Sequence, residues 1–315
     1  MAKHTEDDYI FSCVVVRSEE VNLLSEADLD KLIEQPTVQA AMNVLADFGY
    51  GNGKELANPR EFEFILRDNL EKAYETIYSV IPDEKEMNLF AFPNDYHNAK
   101  VLLKSEFLKI DPTPYLLHTG TINPEELEDC MKKRDFSGLS VHMRTALQEA
   151  IDSYAKTRDP QEIDIILDRG CYRDMLNDAE DSEEDPDDIY ISEYIRLLID
   201  TVNINTFVRL KKIEKNKNFF RKVFLEGGNF DEDGIEAEAE KFAAEVKDGQ
   251  FEKHLDDRKM EFVKDARFVP FGIQPIVGYL VAKETEIKNL RMILTGKIAN
   301  TPAEIIKARL RETYV

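Results

Sequence analysis

A carboxylate and a carboxamide three residues apart occur in three places in this sequence: Asp95 with Asn98, Asp200 with Asn203, and Glu286 with Asn289. A carboxylate accepts several hydrogen bonds and can take up a proton, whereas a carboxamide both donates and accepts. On a helix, side chains three apart share one face. Such a pair can serve two kinds of chemistry. It can satisfy backbone groups or neighbouring helices where elements meet, or it can line a surface that receives a partner. The need of buried polar groups for partners favours the first use. Lys100, Asn205 and Arg291 stand two positions beyond the amides, and Lys104, Arg209 and Thr295 four positions beyond those. They form a second polar stripe turned away from the first, and contact with a partner stays open for it.

Other chemistry is absent from the pattern. The five histidines, His4, His97, His118, His142 and His254, show no spacing that would hold a transition metal. Phe48-Gly49-Tyr50-Gly51-Asn52-Gly53-Lys54 resembles a phosphate cradle, but Glu55 follows the lysine where a P-loop needs Ser or Thr. A glycine-rich helix terminus is the better reading. Cys13, Cys130 and Cys171 lie in no nucleophile motif and suit small buried hydrophobes in a reducing compartment. The acidic run from Asp178 to Asp188 lacks the turning glycine of a calcium loop and reads as an exposed loop before a helix at Ile191. No catalytic residue, metal or cofactor is expected.

Composition narrows the class further. A net charge of −22 over 315 residues argues against a nucleic-acid partner, because phosphate neutralisation needs a basic surface. Nothing approaches the ~20 apolar residues of a spanning helix. The segment Phe268 to Ala282 is short and broken by Pro270 and Pro275. Two stretches reverse the general charge. Arg209 to Lys222 holds seven Lys/Arg and one acid, and Lys283 to Glu312 holds seven against four. Each is ordinarily a solvated helix face, or else a docking patch for an acidic partner, with Lys104, Arg209, Lys307, Arg309 and Arg311 as the candidate cations.

The elements that must carry these residues are helices. Ser25-Glu26-Ala27-Asp28 has the form of a capping box. Asn58-Pro59, Asn123-Pro124, Asp159-Pro160 and Thr301-Pro302 each place a capping side chain before a proline suited to the first helical position. Long segments of 3.6-residue period, such as Phe62 to Val80, follow, and Ile10, Val14, Val21 and Leu24 form one stripe of a first helix. The fold class is all-α. A second pattern recurs in the same order as the acid–amide pairs. Leu24-Ser25-Glu26-Ala27-Asp28-Leu29 matches Ile122-Asn123-Pro124-Glu125-Glu126-Leu127, and Phe230-Asp231-Glu232-Asp233-Gly234-Ile235 matches both loosely. Leu117-His118-Thr119-Gly120 likewise stands beside Leu225-Glu226-Gly227-Gly228. Three helical repeats are expected, residues 1–110, 111–215 and 216–315, with seams at Asp111-Pro112-Thr113-Pro114 and between Lys211 and Lys217.

The sequence resembles the C subunits of the rotary V/A-type ATPases of bacteria and archaea, relatives of the d subunit of the eukaryotic V-ATPase. The resemblance covers nearly the whole chain. It is carried by Asp95-Tyr96-x-Asn98-x-Lys100, by Gly120-Thr121-Ile122-x-Pro124-Glu125-Glu126-Leu127, by Ile163-Asp164 with Leu167-Asp168-Arg169, and by Ile199-Asp200-x-x-Asn203-Ile204. Its most specific parts are Phe271-Gly272-x-x-Pro275, Tyr279 to Arg291, and Ile306 to Val315. Gln274, Gly278 and Asn205 depart from the family's usual acid, alanine and lysine. The resemblance implies three related lobes with pseudo-threefold symmetry, arranged as a funnel. It also implies a non-catalytic rotor protein on the cytoplasmic face, seated between the D/F shaft and the membrane proteolipid ring. The rival readings are a helical-repeat adaptor for an unrelated partner and a hydrolase with an unfamiliar acidic site.

Overall fold

The computed structural model describes residues 4–51, 55–179, 186–214, 217–246 and 250–315. Among them there are helices and no strands, so the fold is all-α. The chain divides into two compact units, one made of residues 1–82 and 240–315, the other of residues 83–239.

The first unit is built on α13 (Ile273–Ile298), whose apolar residues are buried along most of its length. Around it lie α1 (Ile10–Glu20), α2 (Glu26–Glu34), α3 (Val38–Leu45), α4 (Phe62–Val80), α12 (Phe251–Lys264) and α14 (Ala303–Lys307). Leu29, Leu32, Leu45 and Leu66 close one core with Ile287, Leu290 and Ile293. Burying each such side chain contributes roughly 1.5–3 kcal/mol. Helix α1 presents a different face inward from the stripe expected of it. Tyr9, Cys13 and Val16 are buried, while Ile10, Val14 and Val21 are exposed; Leu24, the fourth member of that stripe, is buried but lies beyond the end of the helix. Polar anchoring selects the face. Ser12 Oγ donates to the Val80 carbonyl at 2.5 Å, and Arg17 donates to the carbonyls of Ala266 and Val269 at 2.7 and 2.8 Å.

The second unit contains α5 (Lys85–Leu108), α6 (Pro124–Lys133), α7 (Val141–Thr157), α8 (Pro160–Ala179), α9 (Pro186–Lys212) and α10 (Lys217–Val223), and α11 (Glu232–Glu245) begins in it. Helix α8 lies at its centre, packed on α5, α7 and α9. It runs antiparallel to α5, because Tyr96 bonds Asp174 at 2.7 Å while Lys104 reaches back to Asp164 at 2.6 Å.

Most helix starts follow from local chemistry. Ser25 and Asp28 form the reciprocal capping box, and Asn58, Asn123 and Asp159 each accept a first-turn N–H two residues on. Thr301 does not cap; Pro302 takes that place and α14 begins at Ala303. Gly49 closes the turn after α3 in the left-handed region, as a helix terminus requires, while Asn52, Gly53 and Lys54 lie outside the described residues. Helix α9 begins at Pro186, ahead of the expected Ile191, because proline suits a first helical position. At its other end the acidic run expected as a loop is helical too, because Asp178 and Ala179 close α8; residues 180–185 lie outside the described residues, as do residues 215–216 of the second seam.

Candidate functional site

The three acid–amide pairs sit on α5, α9 and α13, and all six side chains are buried. Each amide treats one backbone residue as a peptide would. Asn98 donates to the Leu117 carbonyl and accepts its N–H, both at 2.8 Å. Asn203 does the same with Leu225 at 2.8 and 2.9 Å, and Asn289 with Arg311 at 3.0 and 2.8 Å. Only a carboxamide offers donor and acceptor side by side for this.

Each acid grips the chain just ahead of a helix. Asp95 accepts the backbone N–H groups of Thr121 and Ile122 at 3.0 Å each and the Thr121 hydroxyl at 2.7 Å, immediately before the N-cap Asn123 of α6. Asp200 accepts the N–H groups of Asn229 and Phe230 at 3.0 and 3.4 Å and the Asn229 side chain at 2.8 Å, ahead of α11. Glu286 accepts the Leu24 N–H at 2.5 Å, just before the N-cap Ser25 of α2. These N–H groups precede the cap, where no helical carbonyl can serve them, and a carboxylate there also meets the positive end of the helix dipole. Burial pushes the Asp95 carboxyl up, opposed by its bonds from Ile122 and Thr121.

Gly120 and Gly228 make the first two grips possible. A Cβ on either would lie 2.1 Å from Asp95 Oδ1 or 2.2 Å from Asp200 Oδ1. The third joint carries additional groups. Glu286 also accepts from the Tyr50 hydroxyl at 2.5 Å and from Lys283 at 2.8 Å, and Lys283 donates to the same hydroxyl at 2.9 Å. Burial and the Glu286 charge hold the Tyr50 hydroxyl well above the usual phenol range.

A common ruler underlies the three helices. Each ends at a left-handed residue fourteen positions after its acid: 109 − 95, 214 − 200 and 300 − 286 are all 14, for Lys109, Glu214 and Asn300. A non-glycine residue at positive φ is uncommon, so its recurrence at one offset marks related elements. The ruler is visible only in the backbone. Sequence reasoning also missed Tyr50, Lys283 and the pairing of Leu24 with Glu286. The matching of Leu24, Ile122 and Phe230 was the available signal for the last.

The second stripe is largely committed within its own unit. Lys100 pairs with Asp168, Lys104 with Asp164 at 2.6 Å, and Arg291 with Glu63 at 2.9 Å. Asn205 is half-buried, and Arg209 is exposed without an ion-pair partner among the described residues. No group of three or more His, Cys, Asp or Glu residues there could hold a metal ion. A broad surface groove of about 820 Å³ runs along α7 beside Arg144, Gln148 and Lys156, away from the joints. What the arrangement does chemically is bond backbone to helix.

A family model described as ATP synthase (C/AC39) subunit matches residues 12–309. The chain belongs to this family. Among C/AC39 relatives, the C subunit of the A-type ATP synthase of Methanocaldococcus jannaschii is 27% identical over 96% of this chain and 86% of its own length. The C subunit of the V-type sodium ATPase of Enterococcus hirae is 23% identical over 95% of this chain and 97% of its own. The A-type ATP synthase C subunit of Thermococcus kodakarensis is 24% identical over 95% and 89%.

The basic segment of this C/AC39 chain near position 310 divides in two. Arg309 is exposed, and exposed Lys307 pairs with Asp30 at 2.5 Å. Arg311 is not a surface cation. It is buried, with its guanidinium on Asp256 at 2.8 Å and on the Arg309 carbonyl at 2.7 Å. Its backbone is held on Asn289 at the same time. Burial alone would raise the Asp256 carboxyl, but Lys259 and Lys288 more than reverse this and hold it well below the usual carboxylate range. A depressed folded pKa means stability that is complete above the unfolded value near ~4 and lost as pH falls below it. Asp256→Asn is therefore expected to cost roughly 2–4 kcal/mol at neutral pH, with the gap to wild type narrowing below about pH 4. Thermal unfolding of both proteins at pH 7 and pH 3 measures this; an equal gap at both would refute the assignment.

Proposed function

We propose that this chain is the non-catalytic central-stalk component of a rotary V/A-type ATPase, the spacer and socket between the D/F shaft and the membrane proteolipid ring. Three lobes, residues 1–110, 111–215 and 216–315, set about a pseudo-threefold axis as a funnel on the cytoplasmic side, complete the proposal. One observation carries it. In a member of the C/AC39 family, the same backbone-binding joint recurs three times with its polar groups directed into the fold. A part that transmits torque needs stiffness and shape, and buried, fully bonded polar joints supply rigidity. No described helix is long and apolar enough to cross a membrane, so the proposed ring contact is peripheral.

The test is reconstitution with the D/F pair and, separately, with the ring. Binding to neither would refute the reading and favour an adaptor for another partner. If Arg309 and its surroundings face an acidic partner, Arg309→Glu should weaken binding roughly three- to tenfold, more at low salt, without altering the melting temperature. Arg311→Glu should instead lower the melting temperature, because it places two carboxylates together in a buried site. Binding indifferent to Arg309→Glu at every salt concentration would remove this segment from the docking surface.

A further inference from the structure

Helix α1 is apolar on both of its sides. Tyr9, Cys13 and Val16 are buried in the first unit, and Phe11, Val14 and Val21 stand on the opposite side at 65, 60 and 83% exposure. A helix that is hydrophobic all round is ordinarily buried all round. The outer residues also follow a pattern. Phe11, Val14, exposed Ser18 and Val21 are three, four and three positions apart, the alternation of a coiled-coil seam, which faces another helix along its length. The neighbouring edge of α1 adds aromatic surface. Cys13 Sγ donates to the Gly272 carbonyl at 3.5 Å, and the carbonyls held by Arg17 lie in the same segment, in which Phe268 and Phe271 are exposed. Apolar area gathered in one place marks an interaction site, as singly scattered surface hydrophobes do not.

We infer that the outer face of α1 is the docking seam for a helix of a partner chain, apolar along the contact and basic where it meets the N-terminal end of α1. Charge selects this occupant. Glu6, Asp7 and Asp8 are exposed at the head of the seam, with Asp7 four positions before Phe11. Arg17, the cation of α1, is committed to Glu20 and to two backbone carbonyls. An acidic head beside an apolar seam repels an anionic membrane, and in a chain of net charge −22 it repels a second copy as well. Lys or Arg on an incoming helix turns that repulsion into attraction, while its apolar side chains cover Phe11, Val14 and Val21.

The probe is a fluorescent helical peptide with leucine at its seam positions and lysine at the others, titrated with the full chain and followed by anisotropy. It should bind, and Val14→Asp should weaken it roughly tenfold or more. Val141→Asp, at an equally exposed apolar residue of the second unit, should leave it unchanged. Asp7→Lys should weaken it roughly threefold at low salt, and a peptide with glutamate in place of lysine should bind at least tenfold more weakly. Should Val14→Asp fail to fold, Val21→Asp takes its place. No binding by the lysine peptide, indifference to the seam variant, or equal binding of the glutamate peptide would overturn the proposal. So would a dimer in sedimentation that Val14→Asp dissolves, which gives the face to a second copy. Retention of wild type but not Val14→Asp on phosphatidylglycerol vesicles would give it to a membrane and overturn the proposal equally. Because the probe is neither the D/F pair nor the ring, a negative result leaves the rotor reading standing.

Discussion

Gly228→Ala, and equally Gly120→Ala, is expected to lower the melting temperature by roughly 10 °C, an effect far beyond that of an ordinary surface glycine. The added methyl group would stand 2.2 or 2.1 Å from a carboxylate oxygen, a separation that real Cβ atoms do not tolerate. Something must move. The acid is the movable partner, and moving it breaks two or three hydrogen bonds to a buried charge at about 1.5–3 kcal/mol each. Some bonds would re-form at poorer geometry, so a net loss of about 3–5 kcal/mol is expected, which at ~2–4 °C per kcal/mol gives the stated shift. Gly138→Ala is the control, since nothing lies within 4 Å of the Cβ it would add. If the joint variants melt with the control, the acids do not grip the chain as described.

The second large effect belongs to Glu286. Glu286→Ala leaves the Lys283 ammonium, the Tyr50 hydroxyl and the Leu24 N–H without their common acceptor in a buried site. Removing one partner of a buried ion pair typically costs about 3–5 kcal/mol, because an uncompensated charge remains. Removing both charges is a different matter. Glu286→Leu combined with Lys283→Met should recover a large part of the loss, leaving the Leu24 N–H and the buried Tyr50 hydroxyl unpaired. Denaturant unfolding of the single and double variants distinguishes the two. A double variant as unstable as Glu286→Ala would locate the energy in the cap on α2 rather than in the buried pair.

How much of this could be read from residues alone differs from one joint to the next. The acid–amide spacing is a local signal, and so are the parallel approaches Leu117 to Gly120 and Leu225 to Gly228. The first two joints therefore lay within reach. The third joins residues 24, 50, 283, 286, 289 and 311, and no periodicity links positions so far apart. Arg311 shows the same limit from another side. As a letter among basic letters it reads as a surface charge, whereas its backbone is bonded to Asn289 and its guanidinium to Asp256, both distant in the chain. Helix α1 failed for a different reason. Ile10, Val14 and Val21 make one apolar side, Tyr9, Cys13 and Val16 another, and a 3.6-residue period cannot choose between two apolar sides. Ser12 and Arg17 decided it through partners distant in the chain.

The division of the first unit between residues 1–82 and 240–315 also sets an order of events at the ribosome. Synthesis proceeds from the N-terminus, so α2, α3 and α4 emerge more than a hundred and fifty residues before the α13 side chains that complete their core. During that interval Leu29, Leu32, Leu45 and Leu66 have no Ile287, Leu290 or Ile293 to cover them. The intervening unit has all of its own residues first and can fold as they arrive. The earliest part of the chain to be made is thus among the last to be buried, and it is the part of the nascent protein most in need of a chaperone.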